Sequence, residues 1–353
     1  MADSGGHWNT LAEAQKLTQS LLIPGVIEED IKRGNPLERV PVAQAANSGK
    51  SITWLREATT LEDEVANITV GSQLSWSESM TYDTVETELK ICYLQRKLDN
   101  FVASIYGNIN NYEARVLLEM RKGILRSLGD KFIYSDTTYT SANDFDGLHA
   151  LAYERGATPG TPSNMNVDMA EAGLSFATLR TVIDSMKHGV DEILMPFEIA
   201  RRIDAVYQEK GLAGLATATA GTMGMVSFGW NEAGKRQTFW DGIPIMRTDY
   251  LVAEEANTGT GADGAARAKN SSGDKQYSIF FIKYGQVMAG MPGLSFAFGG
   301  TSGVGDFYKL EYFPTLEDFD AKGVRMVTYS APLLGSKMGL ARVFDIEDVA
   351  VVV

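Results

Sequence analysis

Apolar and polar residues alternate with a period of two between Val40 and Tyr93, which predicts β-structure. In "QLSWSESMTY" the apolar residues Leu74, Trp76 and Met80 are separated by polar ones, and "VETELKICY" continues the same alternation. The partner of this strand is predicted to be "KSITWLREA". A two-stranded ribbon has little core of its own and is marginal alone in water. We therefore expect it to lie against another surface, either in the same chain or in a neighbouring copy.

The spacing of apolar residues changes to that of an α-helix at Leu94, where they return every three to four positions and predict a short helix ending near Gly107. A longer stripe follows and predicts a second helix from Asn111 to Tyr134, which would be about 35 Å long. Its apolar face consists of Val116, Leu117, Met120, Ile124, Leu128 and Phe132. The pattern predicts a long amphipathic rod in the first half of the chain.

Beyond Asp136 the predicted elements mix helices and strands, so the fold class is α+β. The predicted helices are "SFATLRTVIDSMK" and "FEIARRIDAVYQEKG"; the predicted strands are "DEILM", "GIPIMRTDYLV", "QYSIFFIKYG", "FYKLEYFP", "VRMVTYSAPLL" and "LARVFDIEDVAVVV". Two segments rich in small residues, "GLAGLATATAGTMGM" and "EEANTGTGADGAARAKNSSGDK", are predicted as loops. At the other end, a weak helix over Leu11–Ile23 and a charged stretch up to Pro36 predict an arm that packs on something else.

Length, charge and composition exclude several classes of protein. A chain of 353 residues is long enough for one large domain or two ordinary ones, and its net charge of −13 argues against a surface that grips nucleic acid. The single cysteine, Cys92, cannot form an internal disulfide, which favours a reducing compartment. No stretch has the apolar length that spans a bilayer, and the first residues lack the features of a signal peptide. We expect a protein that is soluble and not exported by that route.

Motifs for metal or phosphate chemistry are weak. The three histidines, His7, His149 and His188, have no second ligand at helical spacing, so a zinc site is not expected. "NSGKS" ends like a phosphate-binding loop, but Gln44 stands where that loop requires its first glycine. We expect neither a bound metal nor a bound phosphate.

Two further patterns resemble binding motifs only in part. "GTGADG", Gly259–Gly264, fits a dinucleotide motif literally, but polar segments flank it where a buried strand and an apolar helix are required. Asp318 and Asp320, and the acidic group at 62–64, lack the spacing of a calcium loop. Solvated loops explain all of these residues, and we expect no cofactor.

The chain resembles the major capsid proteins of tailed phages, which have the Hong Kong 97-type fold. The resemblance covers nearly the whole chain and lies in the order of the elements more than in any one motif. The segments that carry it are "LREATT", "ILRSLGDKFIYSD" with "FDGLHAL", "VDEILMPFEIARRI", "FWDGIPIMRTDYL" and "VRMVTYSAPLLGSKMGLARVFDIEDVAV". The polar insert at 259–274 has no clear counterpart.

The resemblance implies a division of the chain and a role for each part. It gives an N-terminal arm (1–36), an extended β-hairpin loop (37–84), a peripheral domain with the spine helix (85–145), an axial domain (146–304) and C-terminal strands that return to the peripheral domain (305–353). The loop would lie over an adjacent subunit, and the axial domain would surround the centres of hexamers and pentamers.

The candidate functional residues are those of the extended loop. Trp54 and Trp76 either cover the body of their own chain or contact another chain, where tryptophan is enriched, and the sequence does not separate the two. The candidates for contacts between subunits are Trp54, Arg56, Glu57, Glu62, Asp63, Glu64 and Trp76. Some relatives crosslink a lysine to a neighbour's asparagine, but the acid that this needs is not evident beside Lys50, so no crosslink is expected.

The implied function is structural: a major capsid protein that self-assembles into the icosahedral head shell of a tailed phage. Its implied partners are copies of itself in hexamers and pentamers, portal, scaffolding and decoration proteins, and enclosed double-stranded DNA bound without sequence specificity. The implied location is the virion, with assembly in the host cytoplasm and no membrane. An encapsulin, a cellular compartment of the same fold, is the first alternative, and an α+β enzyme with an unrecognised site is the second.

Overall fold

The computed structural model describes residues 31–45, 51–57, 64–73, 76, 81–101, 104, 112–138, 140–153, 165–209, 226–230, 236–255, 269, 275–299, 307–317 and 320–352. The predicted N-terminal helix at Leu11–Ile23, the loop "GLAGLATATAGTMGM", and Lys50, Glu62, Asp63 and Asp318 lie outside these ranges.

Five strands form the first sheet. They are β1 (Val42–Gln44), β4 (Lys90–Asp99), β11 (Leu294–Phe298), β12 (Lys309–Phe313) and β13 (Ala321–Leu334). The strand order is β1-β11-β13-β12, and β4 also pairs with β13, from Ala321 to Ser330. β1 runs parallel to β11, whereas the pairs made by β13 are antiparallel.

Seven strands form the second sheet, which we call the axial sheet. They are β5 (Asn166–Ser175), β6 (Glu192–Pro196), β7 (Val226–Trp230), β8 (Arg236–Trp240), β9 (Ile243–Thr248), β10 (Gln276–Ile282) and β14 (Leu340–Val352). Their order is β5-β14-β10-β6-β9-β8-β7. The central strands are buried on both faces, as the apolar runs "EILMP" and "QYSIFFI" require.

The predicted long helix is confirmed as α1, Tyr112–Tyr134, and a short helix α2, Leu148–Tyr153, follows it. α1 buries the predicted stripe at Met120, Ile124, Leu128 and Phe132. One hydrophobic core joins these residues to both sheets. Its members from the first sheet include Leu98, Phe296, Val324 and Met326, and those from the axial sheet include Leu194, Phe280, Ile282 and Leu340. The rod therefore connects the two sheets.

Two amphipathic helices cover the opposite face of the axial sheet. They are α3, Phe176–Ser185, and α4, Phe197–Glu209, both close to their predicted positions. Their buried residues meet those strand residues whose side chains point away from α1, because neighbouring positions in a strand face opposite sides. Ile193 and Ile279, for example, belong to the core under α3 and α4, whereas Leu194 and Phe280 belong to the core under α1.

The segment "SDTTYT…FDGL" forms the loop that joins the end of α1 to the start of α2. The Ser135 Oγ lies 2.6 Å from the Phe145 carbonyl oxygen and 2.5 Å from the Lys131 carbonyl oxygen, and its one proton bonds either of them. A Cβ at Gly147 would lie 2.7 Å from the Lys131 carbonyl oxygen and 2.8 Å from that of Phe132. Only glycine lets the start of α2 approach the last turn of α1 this closely.

The short helix predicted from Leu94 is wrong at its start. β4 continues to Asp99 because it pairs with β13 along its whole length, and the first helical residue is Asn100. Leu94 and Leu98 are four positions apart, a spacing that fits either one face of a helix or alternate positions of one strand. The pairing with β13 decides in favour of the strand.

The strands of the predicted C-terminal segment, 305–353, divide between the two sheets. β12 and β13 belong to the first sheet, but β14 belongs to the axial sheet, where it pairs with β10 and β5. Its first seven residues are buried, which suits a central strand and not an edge. β11, within the predicted range 146–304, lies in the first sheet. The predicted division of the chain into five parts stays a prediction.

Candidate assembly surface

A β-hairpin extends from the first sheet and corresponds to part of the predicted ribbon. The strand predicted over "QLSWSESMTY" begins only at Tyr82; Gln73, Trp76 and Thr81 are not in a strand, and the other residues of this segment lie outside the described ranges. Strand β2, Ser51–Glu57, pairs antiparallel with β3, Tyr82–Glu88, in full register from Ser51–Glu88 to Glu57–Tyr82. β3 passes through Leu89 directly into β4, so the long strand predicted as "VETELKICY" divides between two sheets. The hairpin is thereby continuous with the sheet under it.

The inner face of the hairpin packs on its own chain. Ile52 and Trp54 lie against a small buried cluster formed by Val287, Ala297 and Leu333. Alternate residues of a strand point to opposite sides, so Ile52, Trp54 and Arg56 share this face. The packing fixes the base of the hairpin on the first sheet.

Hydrogen bonds reinforce this base. Arg56 donates through Nε to the Gly335 carbonyl at 2.8 Å and through Nη2 to the Leu334 carbonyl at 2.5 Å. Trp54 donates through Nε1 to the Gly335 carbonyl at 3.4 Å, and the Arg56 guanidinium lies 5.7 Å from the centroid of its ring. The structure therefore gives Trp54 and Arg56 partners within their own chain. A contact of these two residues with another chain stays a prediction.

The outer face and the distal part of the hairpin are exposed. Leu55 is 67% exposed and Tyr82 is 54% exposed, on the side away from the body. Further out, Val65, Val70 and Trp76 have relative exposures of 81%, 108% and 94%. Large apolar side chains that gather on one projecting element mark a surface for association.

The acidic candidates are distributed over the same element. Glu57, at the end of β2, is exposed, and so is Glu64. Glu62 and Asp63 lie outside the described residues. Of the seven candidates, the structure thus places Trp54 and Arg56 on the inner face, and Glu57, Glu64 and Trp76 on exposed parts.

A second exposed apolar area continues from the hairpin onto the first sheet. Ile91 and Tyr93, on β4, are 64% and 63% exposed. Tyr329 lies opposite Ile91 on β13 and is 37% exposed, so the three side chains share one face. Sequence reasoning missed this area, although the alternation of Ile91 and Tyr93 with Cys92 and Leu94 is visible in "KICYLQRK".

No group of three or more His, Cys, Asp or Glu side chains in the described ranges is placed to hold a metal ion. Burial raises the pKa of the half-buried Cys92 thiol, which disfavours the nucleophilic thiolate. Among the described helices, none is both long and apolar enough to cross a membrane.

A buried polar cluster joins the rod to the axial sheet. We call it the joint cluster; its members are Tyr134, His149, Glu254, Ser278 and Arg342. Glu254 Oε1 lies 2.7 Å from His149 Nε2 and accepts the Tyr134 hydroxyl at 3.2 Å, while Oε2 accepts the Ser278 hydroxyl at 2.6 Å. Arg342 Nη2 lies 3.5 Å from Oε2, and the His149 and Arg342 side chains are fully buried. The cluster links α1, α2, β10 and β14.

The carboxyl of Glu254 is ionised in this environment. Burial alone raises the pKa of Glu254, but His149, Arg342 and the Ser278 hydroxyl more than offset this and lower it to about 2. Burial and the Glu254 charge together raise the pKa of Tyr134, which therefore stays a neutral hydrogen-bond donor.

We expect the joint cluster to lose stability in acid because the Glu254 pKa is lower in the folded than in the unfolded chain. A fall from 4.5 to about 2 corresponds to about 3 kcal/mol, present above pH 4.5 and lost as the pH falls towards 2. NMR titration of the Glu254 side-chain carboxyl between pH 6 and pH 2.5, with its signal assigned by its absence from Glu254→Gln, should give a midpoint well below 4.5. A midpoint at or above 4.5 would contradict the assignment.

Comparisons with known proteins identify the fold. No family model matches the sequence, and no curated protein matches it significantly. Among solved structures, the holo-SrpI encapsulin complex from Synechococcus elongatus matches with a TM-score of 0.65 and 9% identity over 98% of each chain.

Viral and virus-like shells also match. The capsid of a native GTA particle gives a TM-score of 0.57 with 13% identity over 96% of this chain and 99% of that one. The capsid of the cyanophage P-SCSP1u gives 0.56 with 10% identity over 94% and 93%. The chain has the Hong Kong 97-type capsid fold that the sequence analysis predicts.

Proposed function

We propose that this chain is a shell-forming subunit, the major capsid protein of a tailed phage, many copies of which close into an icosahedral head around the genome. The observation that carries the proposal is the hairpin. It is anchored at its base by Trp54 and Arg56, while its outer face and distal residues expose Leu55, Tyr82 and Trp76. Such a projection suits a surface offered to a neighbouring copy.

The proposed role needs no catalysis and no cofactor, because every function assigned to the chain lies in its contacts. The partners would be copies of itself in hexamers and pentamers, together with portal, scaffolding and decoration proteins. Packaged double-stranded DNA would be enclosed without sequence-specific binding. The net charge of −13 supports this, since a strongly acidic wall neutralises few phosphates. The site of action would be the virion, after assembly in the host cytoplasm.

An encapsulin-type compartment is the second candidate function. The observation that favours it is the match to the encapsulin, whose TM-score of 0.65 exceeds the 0.57 of the GTA capsid. A compartment of this kind uses the same contacts between subunits and differs in its contents. What purifies with the particle therefore separates the two candidates.

The proposal predicts that the purified protein forms capsomers or particles in the megadalton range. Multi-angle light scattering and negative-stain microscopy of the expressed chain measure this directly. Closed shells that purify with portal, protease or scaffolding proteins would support the phage head, and shells filled with one enzyme would support the compartment. A monomer or small oligomer that persists at high protein concentration would contradict both and favour an enzyme.

A further inference from the structure

The imidazole of His149 lies between two oxygen acceptors. Its Nδ1 is 2.8 Å from the main-chain carbonyl oxygen of Ile133, and its Nε2 is 2.7 Å from Oε1 of Glu254. The ring is fully buried, so no solvent reaches either nitrogen. It is held in place by Tyr134, which stacks on it with 4.6 Å between ring centroids, and by the edge-to-face ring of Phe280 at 4.9 Å.

A neutral imidazole carries one N–H and cannot satisfy two acceptors. The Ile133 carbonyl has no hydrogen to donate, so Nδ1 must carry a proton to bond it. The lone pair of a neutral Nε2 would then face a carboxylate oxygen at hydrogen-bond distance, in a buried site where an unmatched polar pair is costly. A further proton must therefore lie between His149 Nε2 and Glu254 Oε1.

The groups around Glu254 decide which of the two atoms holds this proton. On the far oxygen, Oε2, Ser278 donates at 2.6 Å and Arg342 approaches to 3.5 Å, and both favour the ionised carboxylate. Arg342 is itself buried, with its guanidinium 4.8 Å from the centroid of Phe344. The proton consequently belongs to His149, which forms a charged hydrogen bond with the carboxylate.

We propose that His149 is a charged imidazolium at neutral pH, and that its bond to Glu254 is a proton-dependent lock holding the end of α1 and all of α2 on the axial sheet. The titratable and charged groups that face it are Tyr134 from α1, Glu254 from the segment after β9, and Arg342 from β14. Beyond Tyr134, Lys269 Nζ lies 4.7 Å from the centroid of its ring and is paired with Asp130 at 2.5 Å.

The lock has a pH dependence of definite sign. A folded chain that keeps a proton on His149 above pH 6.5 binds more protons than the unfolded chain, so stability falls as the pH rises. For one retained proton, the unfolding equilibrium constant increases about tenfold per pH unit. Burial and the Arg342 charge lower the pKa of His149, whereas the Glu254 charge and the two hydrogen bonds raise it. If burial and Arg342 prevailed, the folded histidine would be neutral, and stability would rise with pH up to about 6.5 and level off above it.

The test compares the wild type with His149→Gln, which removes the titrating ring. Urea unfolding is followed from pH 5.5 to pH 8.5, and the matched control is His188→Gln, an exposed histidine bonded to Ser336. We expect the advantage of the wild type over His149→Gln to be constant below pH 6.5 and to shrink about tenfold per pH unit above it. The control should show the same pH dependence as the wild type above pH 7, because His188 lies outside the joint cluster. An advantage that grows with pH and then levels off would overturn the proposal.

A second variant covers the case in which His149→Gln fails to fold. In Glu254→Gln the side-chain amide can donate to a neutral Nε2, so the pair is satisfied without the extra proton. The loss of stability above pH 6.5 should therefore disappear in Glu254→Gln, and its persistence would overturn the proposal. If neither variant folds, the stabilities of the wild type and of His188→Gln are compared between pH 7 and pH 8.5. A stability that falls as the pH rises supports the proposal, and one that is constant or rises overturns it.

Discussion

Replacement of Phe132 by alanine is expected to lower the free energy of unfolding by about 3–5 kcal/mol, because it leaves a cavity where the rod joins the two sheets. The Phe132 ring is fully buried and meets Phe296 of the first sheet edge-to-face, with 5.9 Å between centroids. The same core includes Phe280 and Leu340 of the axial sheet. Urea or thermal unfolding of the soluble chain measures the loss.

Leu118→Ala provides the matched control for this substitution. Leu118 is on the same helix but is 53% exposed, so its truncation should change stability by less than about 0.5 kcal/mol. Equal losses in the two variants would show that α1 contributes to stability through helix formation alone. That result would contradict its role as the element that holds the two sheets together.

Removal of the distal hairpin is expected to abolish assembly while leaving the subunit folded. Glu57 and Tyr82 are directly opposite in the ladder, so an Asn-Gly turn in place of residues 58–81 can close the hairpin between them. The shortened chain keeps Trp54 and Arg56 on the body and loses the exposed Trp76. Light scattering should find capsomers or monomers and no particles.

The choice of cut matters for interpreting this experiment. Deletion of residues 45–80 would also remove β2 and expose the cluster of Val287, Ala297 and Leu333, so that loss of assembly would not separate a missing contact from damaged folding. Ser72→Ala, which removes one exposed hydroxyl of the distal hairpin, should assemble like the wild type and serves as the control. Normal particles from the shortened chain, with an unchanged melting temperature, would contradict the role assigned to the hairpin.

The long elements could be predicted from the sequence because each is specified locally. The stripe from Met120 to Phe132 determines α1, and the alternation around Trp54 determines β2. The local sequence of a strand does not specify which sheet the strand joins. β13 and β14 have similar apolar patterns and follow one another closely, yet they enter different sheets. Pairing partners far away in the chain, such as β4 and β5, make this choice.

The joint cluster could not be predicted from the sequence for a related reason. His149, Glu254 and Arg342 are separated by about a hundred residues each, so no local sequence pattern contains all three. A search for histidine ligands looks for residues spaced along one helix. It cannot detect a cluster whose members come from four separate elements. The one available clue was His149 within the apolar segment "FDGLHALA", where a buried histidine requires a partner.

The attachment of the hairpin has a mechanical consequence. Arg56 holds the carbonyls of Leu334 and Gly335, and these residues lie where β13 ends and the chain crosses towards β14. In the proposed shell, a pull exerted on the hairpin by an adjacent copy would be transmitted to the crossing between the two sheets. The hairpin would act as a lever whose fulcrum is at this crossing, and strain at one contact would change the angle that the subunit presents to its next neighbour.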